Sequence, residues 1–369
     1  MKILFLIPRY HTNIIHTINS HIKLGHTVEM HVKNYGFIED HTNLKPIKFE
    51  ESYITKIIKL VFNFKTINNS FYLPKLFKYF YYLRNNKFDF AIIRIHGFIY
   101  TYIISCILKL CKINIIYYQQ ANLDLSFLEN DNLYFNLRKF EFHLRLKIFN
   151  AKWVTPLKYE NFKHNITKKL YFLPFVVQLN KFNLNFSELK IITIGKFVER
   201  KNHIFLLESI LDLIHSHNIK ITIVGELSNT QHKAYYKKLI KFVEKNDLKN
   251  NVLIKKNIDH EKIYSLYKEN NLFVLPSTNE PAAISLLEAM GCGLISICSD
   301  TCGTRTYIKD GYNGYIFKNN DKFDLRKKIL IILENLKRLK IMSSNSFNFA
   351  RDNISFESYK EHFEDVIKK

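Results

Sequence analysis

The chain has 369 residues, 55 Lys and Arg against 33 Asp and Glu, a formal charge of +22, and five cysteines. That length supports two domains with separate cores. Cys106, Cys111, Cys292, Cys298 and Cys302 form neither an even framework nor metal-type spacing, which argues for reduced thiols and against a disulfide scaffold.

From the N-terminus, MKILFLIP reads as the first strand of a sheet and not as a signal peptide, because Pro8 and Arg9 break an apolar run already too short. The loop PRYHTN comes next and carries Tyr10. His11, His16, His21, His26 and His31 recur every five residues, but in a helix such members rotate by about 140° and do not share a face. With no His-Glu-x-x-His and no Asp-x-Asp, no metal site is expected. Residues Lys56 to Phe90 interleave Lys and Arg with Phe, Tyr, Leu and Ile. Two readings fit that stretch: a helix lying in the headgroups of an anionic membrane, or an ordinary helix with aromatics in the core and lysines in water. Phe90 to Ile95 reads as a strand, and His96 after it is a candidate for a polar role at a domain cleft, or a structural histidine. The apolar tract Ala91 to Tyr118 is interrupted by Arg94, His96, Lys109 and Lys112, so it fits strand, helix, strand and not a membrane span. Its last strand, Ile115 to Tyr118, leads into Gln119 and Gln120.

The second half repeats the alternation. Ile191 to Ile194 is a strand ending in Gly195, followed by a basic loop with Lys196, Arg200 and Lys201. IKITIVGEL is another, with a glycine turn at Gly225. Leu272 to Leu275 is a short apolar strand, broken by Pro276 and Ser277 to Asn279. Pro281 suits a first helical turn, and Ala282 to Met290, including Ala283 and Ile284, reads as the helix that Gly291 and Gly293 stop. Leu294 to Cys298 then closes a βαβ unit. Ligands of such units lie beyond the carboxyl ends of the strands, where a helix N-terminus favours phosphate. Glu280 falls in that loop and Glu288 on the helix. Two α/β halves with parallel sheets are therefore expected, 1–185 and 186–345, with a closing helix over 346–369. The charge is spread out, stems partly from a Lys-, Asn- and Ile-rich composition, and comes with no nucleic-acid module, so no nucleic-acid partner is expected.

Glu280, seven residues, then Glu288, Ala289 and Met290 resembles the signature of the family 4 retaining glycosyltransferases, the glycosyl transferases group 1. The resemblance extends to KIITIGKFVERKN, to IKITIVGEL, to the spacing between them and the signature, to a degraded FLPFVVQLNKF segment (Phe172 to Phe182), to LGHTVEMHV (Leu24 to Val32) and to the C-terminal helix. It implies the GT-B fold: two Rossmann-like domains facing across a cleft, the first on the acceptor side, the second binding nucleotide-sugar, and a C-terminal helix crossing back. It also implies that Glu280 touches hydroxyls of the donor sugar, that Glu288 touches the ribose, and that Lys196 and Lys201 stand at the family's Arg and Lys positions for the donor diphosphate. Lys keeps the charge of Arg but not its fork, which Arg200 would supply. Gly195, Gly225, Asn257, Ala282, Ala283 and Ile284 would complete the donor side, Asn257 standing where a glycine is usual near the base. Tyr10, His96, Gln119 and Gln120 would lie on the acceptor side. The implied reaction is metal-independent and needs no cofactor beyond the donor substrate. The implied setting is cell-surface polysaccharide or lipopolysaccharide assembly, with a glycan or lipid-linked acceptor, in the cytosol or at the inner face of its membrane.

Departures from the pattern are specific. Ala283 replaces a glycine, Thr306 stands where a Glu is frequent, Cys302 replaces one of a glycine pair, and Gln119 and Gln120 follow a strand where many members carry a His. They leave two alternatives: a catalytically weakened protein that binds nucleotide sugar or membrane as an assembly partner, or a sugar-nucleotide epimerase of the same fold.

Overall fold

The computed structural model describes residues 1–10, 12–35, 43–61, 72–95, 98–120, 142–157 and 170–368. The chain forms two compact units, Met1–Pro174 with Lys360–Lys369, and Phe175–Tyr359.

In the first unit seven strands form one sheet: β1 (Lys2–Ile7), β2 (Thr27–Val32), β3 (Ile47–Lys48), β4 (Phe90–Arg94), β5 (Asn114–Tyr118), β6 (Lys152–Thr155) and β7 (Leu170–Phe172). Their order is β3-β2-β1-β4-β5-β6-β7, and every pairing is parallel. Ile3 to Leu6 are buried without alternation, as expected for a strand covered on both faces by crossover helices. In the second unit, β8 (Lys190–Ile194), β9 (Lys220–Gly225), β10 (Val252–Lys256), β11 (Leu272–Leu275), β12 (Ile295–Ser299) and β13 (Gly314–Phe317) are parallel in the order β10-β9-β8-β11-β12-β13. In both sheets the order reverses beside the first strand, between β1 and β4 and between β8 and β11. Those reversal points open the crevices where doubly wound sheets bind ligands.

The unit boundaries differ from those expected at 185 and 345. Val177 N donates to Ile354 O (3.1 Å), and Asn180 N and Phe182 N donate to Gly291 O and Cys292 O, which ties 175–185 to the second unit. Ser343 Oγ and Ser346 Oγ donate to Gly293 O (2.6 Å) and Leu294 O (2.8 Å), which holds helix Leu336–Ile354 on the same unit. The closing helix expected over 346–369 is two helices, Leu336–Ile354 and Phe356–Lys368. Ser355 separates them and caps the second, its Oγ accepting from Ser358 N at 3.1 Å. Only Lys360–Lys369 groups with the first unit, where Phe363 packs edge-on against His21.

The five-residue histidine spacing also needs a correction. The first helix ends at Lys23 and the chain turns through Gly25 (φ +77°), so His26 folds back and its Nδ1 lies 3.2 Å from that of His21. Among the described residues of 56–90 there are two helical parts, the end of Tyr53–Val61 and Leu76–Asn86. The first has Tyr53, Ile54, Ile57, Leu60 and Val61 exposed along one face, Leu60 at 82 %. Phe77 and Tyr81 are exposed on the second. Among the described residues no helix is long and apolar enough to cross a membrane.

Candidate functional site

The second unit gathers charged side chains at its reversal point. Gly195 N donates to Val224 O (2.9 Å), after which the chain turns into a short 3-10 helix, Glu199–Lys201, ended by Asn202 at φ +52°. The stem of Lys201 returns over Gly195, where a Cβ would stand 2.8 Å from Cδ and 2.9 Å from Cε. Glycine at 195 is thus what lets Lys201 pass. Lys201 Nζ reaches Glu280 Oε2 at 2.5 Å, and Arg200 Nη1 reaches the same oxygen at 2.6 Å. Thr278 N donates to Arg200 O (2.9 Å), fastening the basic turn to the loop after β11. The Glu280 side chain is buried and that of Lys201 is 11 % exposed, whereas that of Arg200 is 43 % exposed. One carboxylate against two cations leaves this triad one positive charge in surplus, held partly out of water, where attraction for an anion is strengthened.

Lys196 does not join the triad. Its Nζ pairs with Glu226 Oε2 at 3.1 Å across the neighbouring strands. Burial pushes the Glu226 carboxyl up, but Ser228 and Lys196 outweigh it and hold the group below its ordinary value. Gly225, which ends β9, is required by packing: a Cβ there would lie 2.6 Å from the Phe197 ring and 2.8 Å from Gly195 O. Asn257 adopts φ +52°, the left-handed conformation that suits a glycine and that Asn tolerates better than most side chains. Its side chain also works: Oδ1 accepts from Leu227 N (2.7 Å) and Nδ2 donates to Leu227 O (3.2 Å).

The helix expected from Ala282 begins two residues later, at Ile284, with Ala283 extended (φ −99°, ψ 98°) as its N-cap residue. Pro281 and Ala282 therefore precede the helix, and Ala283 is buried. Glu288 is buried on that helix, its Oε1 accepting from His260 Nε2 (2.7 Å) and its Oε2 facing Tyr267 OH (3.0 Å). Burial, then the Glu288 charge, push the Tyr267 hydroxyl well above its ordinary pKa. Gly303 N donates to Glu280 O (2.8 Å), while Thr306 Oγ1 turns to Gly303 O (3.3 Å).

Glu226, His260 and Tyr267 were not anticipated from the sequence. Glu226 could have been: it comes after Gly225 as Lys196 comes after Gly195, on neighbouring strands in register. His260 opens the helix His260–Glu269 and Tyr267 lies on it, with no signal linking them to a carboxylate 28 and 21 residues on.

The remaining expected residues belong to the first unit. Tyr10 and Gln120 are buried and Gln119 is half-buried, its N–H donating to Val154 O (3.0 Å). Gln120 Oε1 accepts from Asn13 Nδ2 (3.1 Å), and its Nε2 donates to Tyr118 OH (3.2 Å). His96 lies outside the described residues.

Two doubly wound, fully parallel units, each reversing beside its first strand, make this a protein of GT-B architecture with two Rossmann-like domains. Residues 177–349 match the family model of the glycosyl transferases group 1. The chain is similar over its full length to a Rickettsia africae glycosyltransferase (TM-score 0.76, 15 % identity, 98 % of that chain). It is likewise similar to Anabaena Alr3699/HepE, solved in complex with UDP (TM-score 0.73, 12 % identity, all of both chains). Among curated relatives, the uncharacterized glycosyltransferase MJ1069 of Methanocaldococcus jannaschii is 30 % identical over 33 % of this chain and 32 % of its own. The N,N'-diacetylbacillosaminyl-diphospho-undecaprenol alpha-1,3-N-acetylgalactosaminyltransferase of Campylobacter jejuni is 33 % identical over 29 % of each chain. The match thus spans about a third of the length of these relatives.

Proposed function

We propose that the chain is a retaining glycosyltransferase that moves a sugar from a nucleotide-sugar donor to a hydroxyl of a glycan or lipid-linked acceptor, without a metal or cofactor, in surface polysaccharide or lipopolysaccharide assembly. The observation that carries this reading is the surplus positive charge of Lys201 and Arg200 on Glu280 at the reversal point of the second sheet. The UDP of the Anabaena structure and the diphosphate-linked lipid acceptor in the Campylobacter relative's name support it by similarity.

The chemistry derives from the charges. When the bond between sugar and diphosphate breaks, negative charge grows on the leaving phosphate, and Lys201 and Arg200 stabilise it with little reorganisation because Glu280 already holds both side chains. The acceptor hydroxyl attacks on the face the leaving group vacates, and its proton passes to that phosphate, so configuration is retained. Glu280 uses one oxygen for both cations, leaving the other for a sugar hydroxyl, and Glu288, held by His260 and Tyr267, addresses the ribose. Lys201→Ala is expected to lower kcat by about a hundred-fold, the value of one prepositioned donor. Nucleotide-sugar binding is measured by calorimetry across UDP-, GDP-, ADP-, dTDP- and CMP-sugars. No binding to any of them, or full turnover in the variant, would sink the reading.

A lipid-linked acceptor would put the enzyme at the cytosolic face of a membrane. Helix Tyr53–Val61 supports this, since its exposed face is apolar and Lys56 lies beside Tyr53, Nζ 5.6 Å from the ring. In flotation with phosphatidylglycerol vesicles, the double variant Ile57→Glu, Leu60→Glu should lose membrane binding; co-flotation equal to wild type would remove the helix from that role.

A further inference from the structure

Past the ends of β8 and β9 the two segments keep pairing. Gly195 N donates to Val224 O (2.9 Å) and Phe197 N to Glu226 O (3.3 Å), so Lys196 and Glu226 stand opposite one another. Lys196 Nζ lies 3.1 Å from Glu226 Oε2, and among the described residues that carboxylate is its ion-pair partner. The second oxygen of Glu226, Oε1, accepts from Ser228 Oγ at 2.5 Å. With both oxygens occupied and only 20 % of it exposed, the Glu226 side chain has little freedom to turn.

The support behind Glu226 runs into the next helix. Ser228 N donates to His232 Nδ1 (3.2 Å), so that nitrogen is an acceptor and the ring is neutral. The Ser228 hydroxyl proton is then left to point at Glu226. His232 is buried near the start of helix Thr230–Lys245, and its own N–H is held by Asn229 Oδ1 (2.9 Å), the cap of that helix. Burial holds the His232 pKa below its ordinary value, although Glu226 opposes this; Lys196 adds to it. A neutral His232 brings no charge of its own to the pair in front of it.

Charge decides what the arrangement does. Lys196, Arg200 and Lys201 face Glu226 and Glu280, three cations against two carboxylates. Lys201 passes directly over Gly195, the residue before Lys196, so the Lys196 pair borders the triad. Without Glu226, Lys196 would be free to turn to a bound phosphate. A nucleoside diphosphate carries one negative charge more than the nucleotide sugar from which it forms, because its terminal phosphate is no longer an ester. A freed lysine therefore strengthens the hold on the product more than on the donor.

We propose that Glu226 is a positioning residue that keeps Lys196 engaged, and so limits the affinity of the site for the nucleoside diphosphate product relative to the nucleotide sugar. It acts through Lys196 and touches neither ligand. The identity of the two ligands rests on the glycosyltransferase reading; the restraint on Lys196 does not.

The test titrates UDP, UDP-glucose and inorganic pyrophosphate by calorimetry into the full chain as wild type, Glu226→Gln, Glu226→Asp, Lys196→Met and the double variant Lys196→Met, Glu226→Gln. Gln keeps an acceptor for Ser228 and loses the charge. Glu226→Gln should therefore bind UDP at least about tenfold more tightly, the value of one charged hydrogen bond gained by Lys196, and UDP-glucose by less. Pyrophosphate should tighten as UDP does. Glu226→Asp keeps the charge and should keep the wild-type ratio of UDP to UDP-glucose affinity. In the Lys196→Met background Glu226→Gln should shift that ratio by less than about twofold, since a residue that acts through Lys196 then has nothing to act on. Equal tightening of UDP and UDP-glucose, or a full shift in the Lys196→Met background, would overturn the proposal and leave the donor reading intact. Weaker UDP binding with a large fall in Tm would make Glu226 structural and overturn it as well. If wild type binds neither UDP nor UDP-glucose, the donor reading for these nucleotides falls and pyrophosphate decides: tightening in Glu226→Gln that vanishes in the double variant upholds the restraint on Lys196, and no tightening overturns it.

Discussion

At the reversal point of the second sheet, Lys201 and Arg200 share Glu280 and Lys196 is held by Glu226, whereas at that of the first sheet Arg94 stands opposite Tyr118. The loops differ to match. In the second unit Gly195 and Gly225 let side chains and backbone close in on the strand ends, while the first unit has Pro8, Lys33 and Ile95 after the corresponding strands. Carboxylates in the second unit fix its cations before any ligand arrives, which suits a site that must stabilise charge as it forms. The same fold position therefore supports two kinds of electrostatics, and the difference lies in a few carboxylates, not in the sheets.

The comparison breaks first under acid. Among the described residues, two buried histidines, one in each unit, have their pKa lowered to about 3, His21 by burial and then by His26, His203 by burial and then by Lys201. Both folded values lie below the ordinary 6.5, so the unfolded chain binds protons that the folded chain refuses. Stability from this source is full above pH 6.5 and falls as pH drops towards 3, by up to about 1.4 kcal/mol per pH unit for each histidine. His203→Phe keeps a ring between Phe197 and Tyr235 while removing the titration. Denaturant unfolding between pH 7 and 4.5 should show the second unit losing its share of the slope and the first keeping its own. An unchanged slope would mean that His203 is protonated in the folded state.

Gly225→Ala sharpens the contrast in how tightly the strand ends pack. The added methyl meets a phenyl ring and, less forgivingly, the Gly195 carbonyl, so the expected cost is about 1–3 kcal/mol of stability, the range for overpacked positions. Because that strain presses on the residue over which Lys201 passes, turnover should fall further than stability alone explains. A variant with wild-type Tm and wild-type kcat would show that the two loops are looser than the packing implies.

Much of the fold was legible in the sequence alone. Largely apolar runs located β8, β11 and β12 to within a residue, because strands buried on both faces carry little polar alternation to blur them. The Glu280 and Glu288 spacing put one carboxylate in the loop and the other on the following helix for the same local reason. Helix starts were less legible: Pro281 can open a helix, but Ala283 is extended and the chain delays two residues. Partners separated by long stretches were not legible at all. Arg200 and Lys201 meet Glu280 across 80 and 79 residues, and His260 meets Glu288 across 28, so only the sheet order brings them together.

The smallest effect concerns Asn257, where a residue does two jobs that glycine and other side chains divide. Asn257→Gly keeps the left-handed backbone at φ +52° and loses both bonds to Leu227, which are solvent-exposed and together contribute on the order of 1 kcal/mol. Asn257→Ala loses the same bonds and adds a left-handed penalty of about 1–2 kcal/mol for a residue with a Cβ. Urea unfolding should therefore rank wild type above Gly and Gly above Ala. If Gly and Ala are equal, the backbone at 257 relaxes out of the left-handed region; if Gly equals wild type, the Leu227 bonds contribute nothing and Asn serves only as a tolerated substitute for glycine.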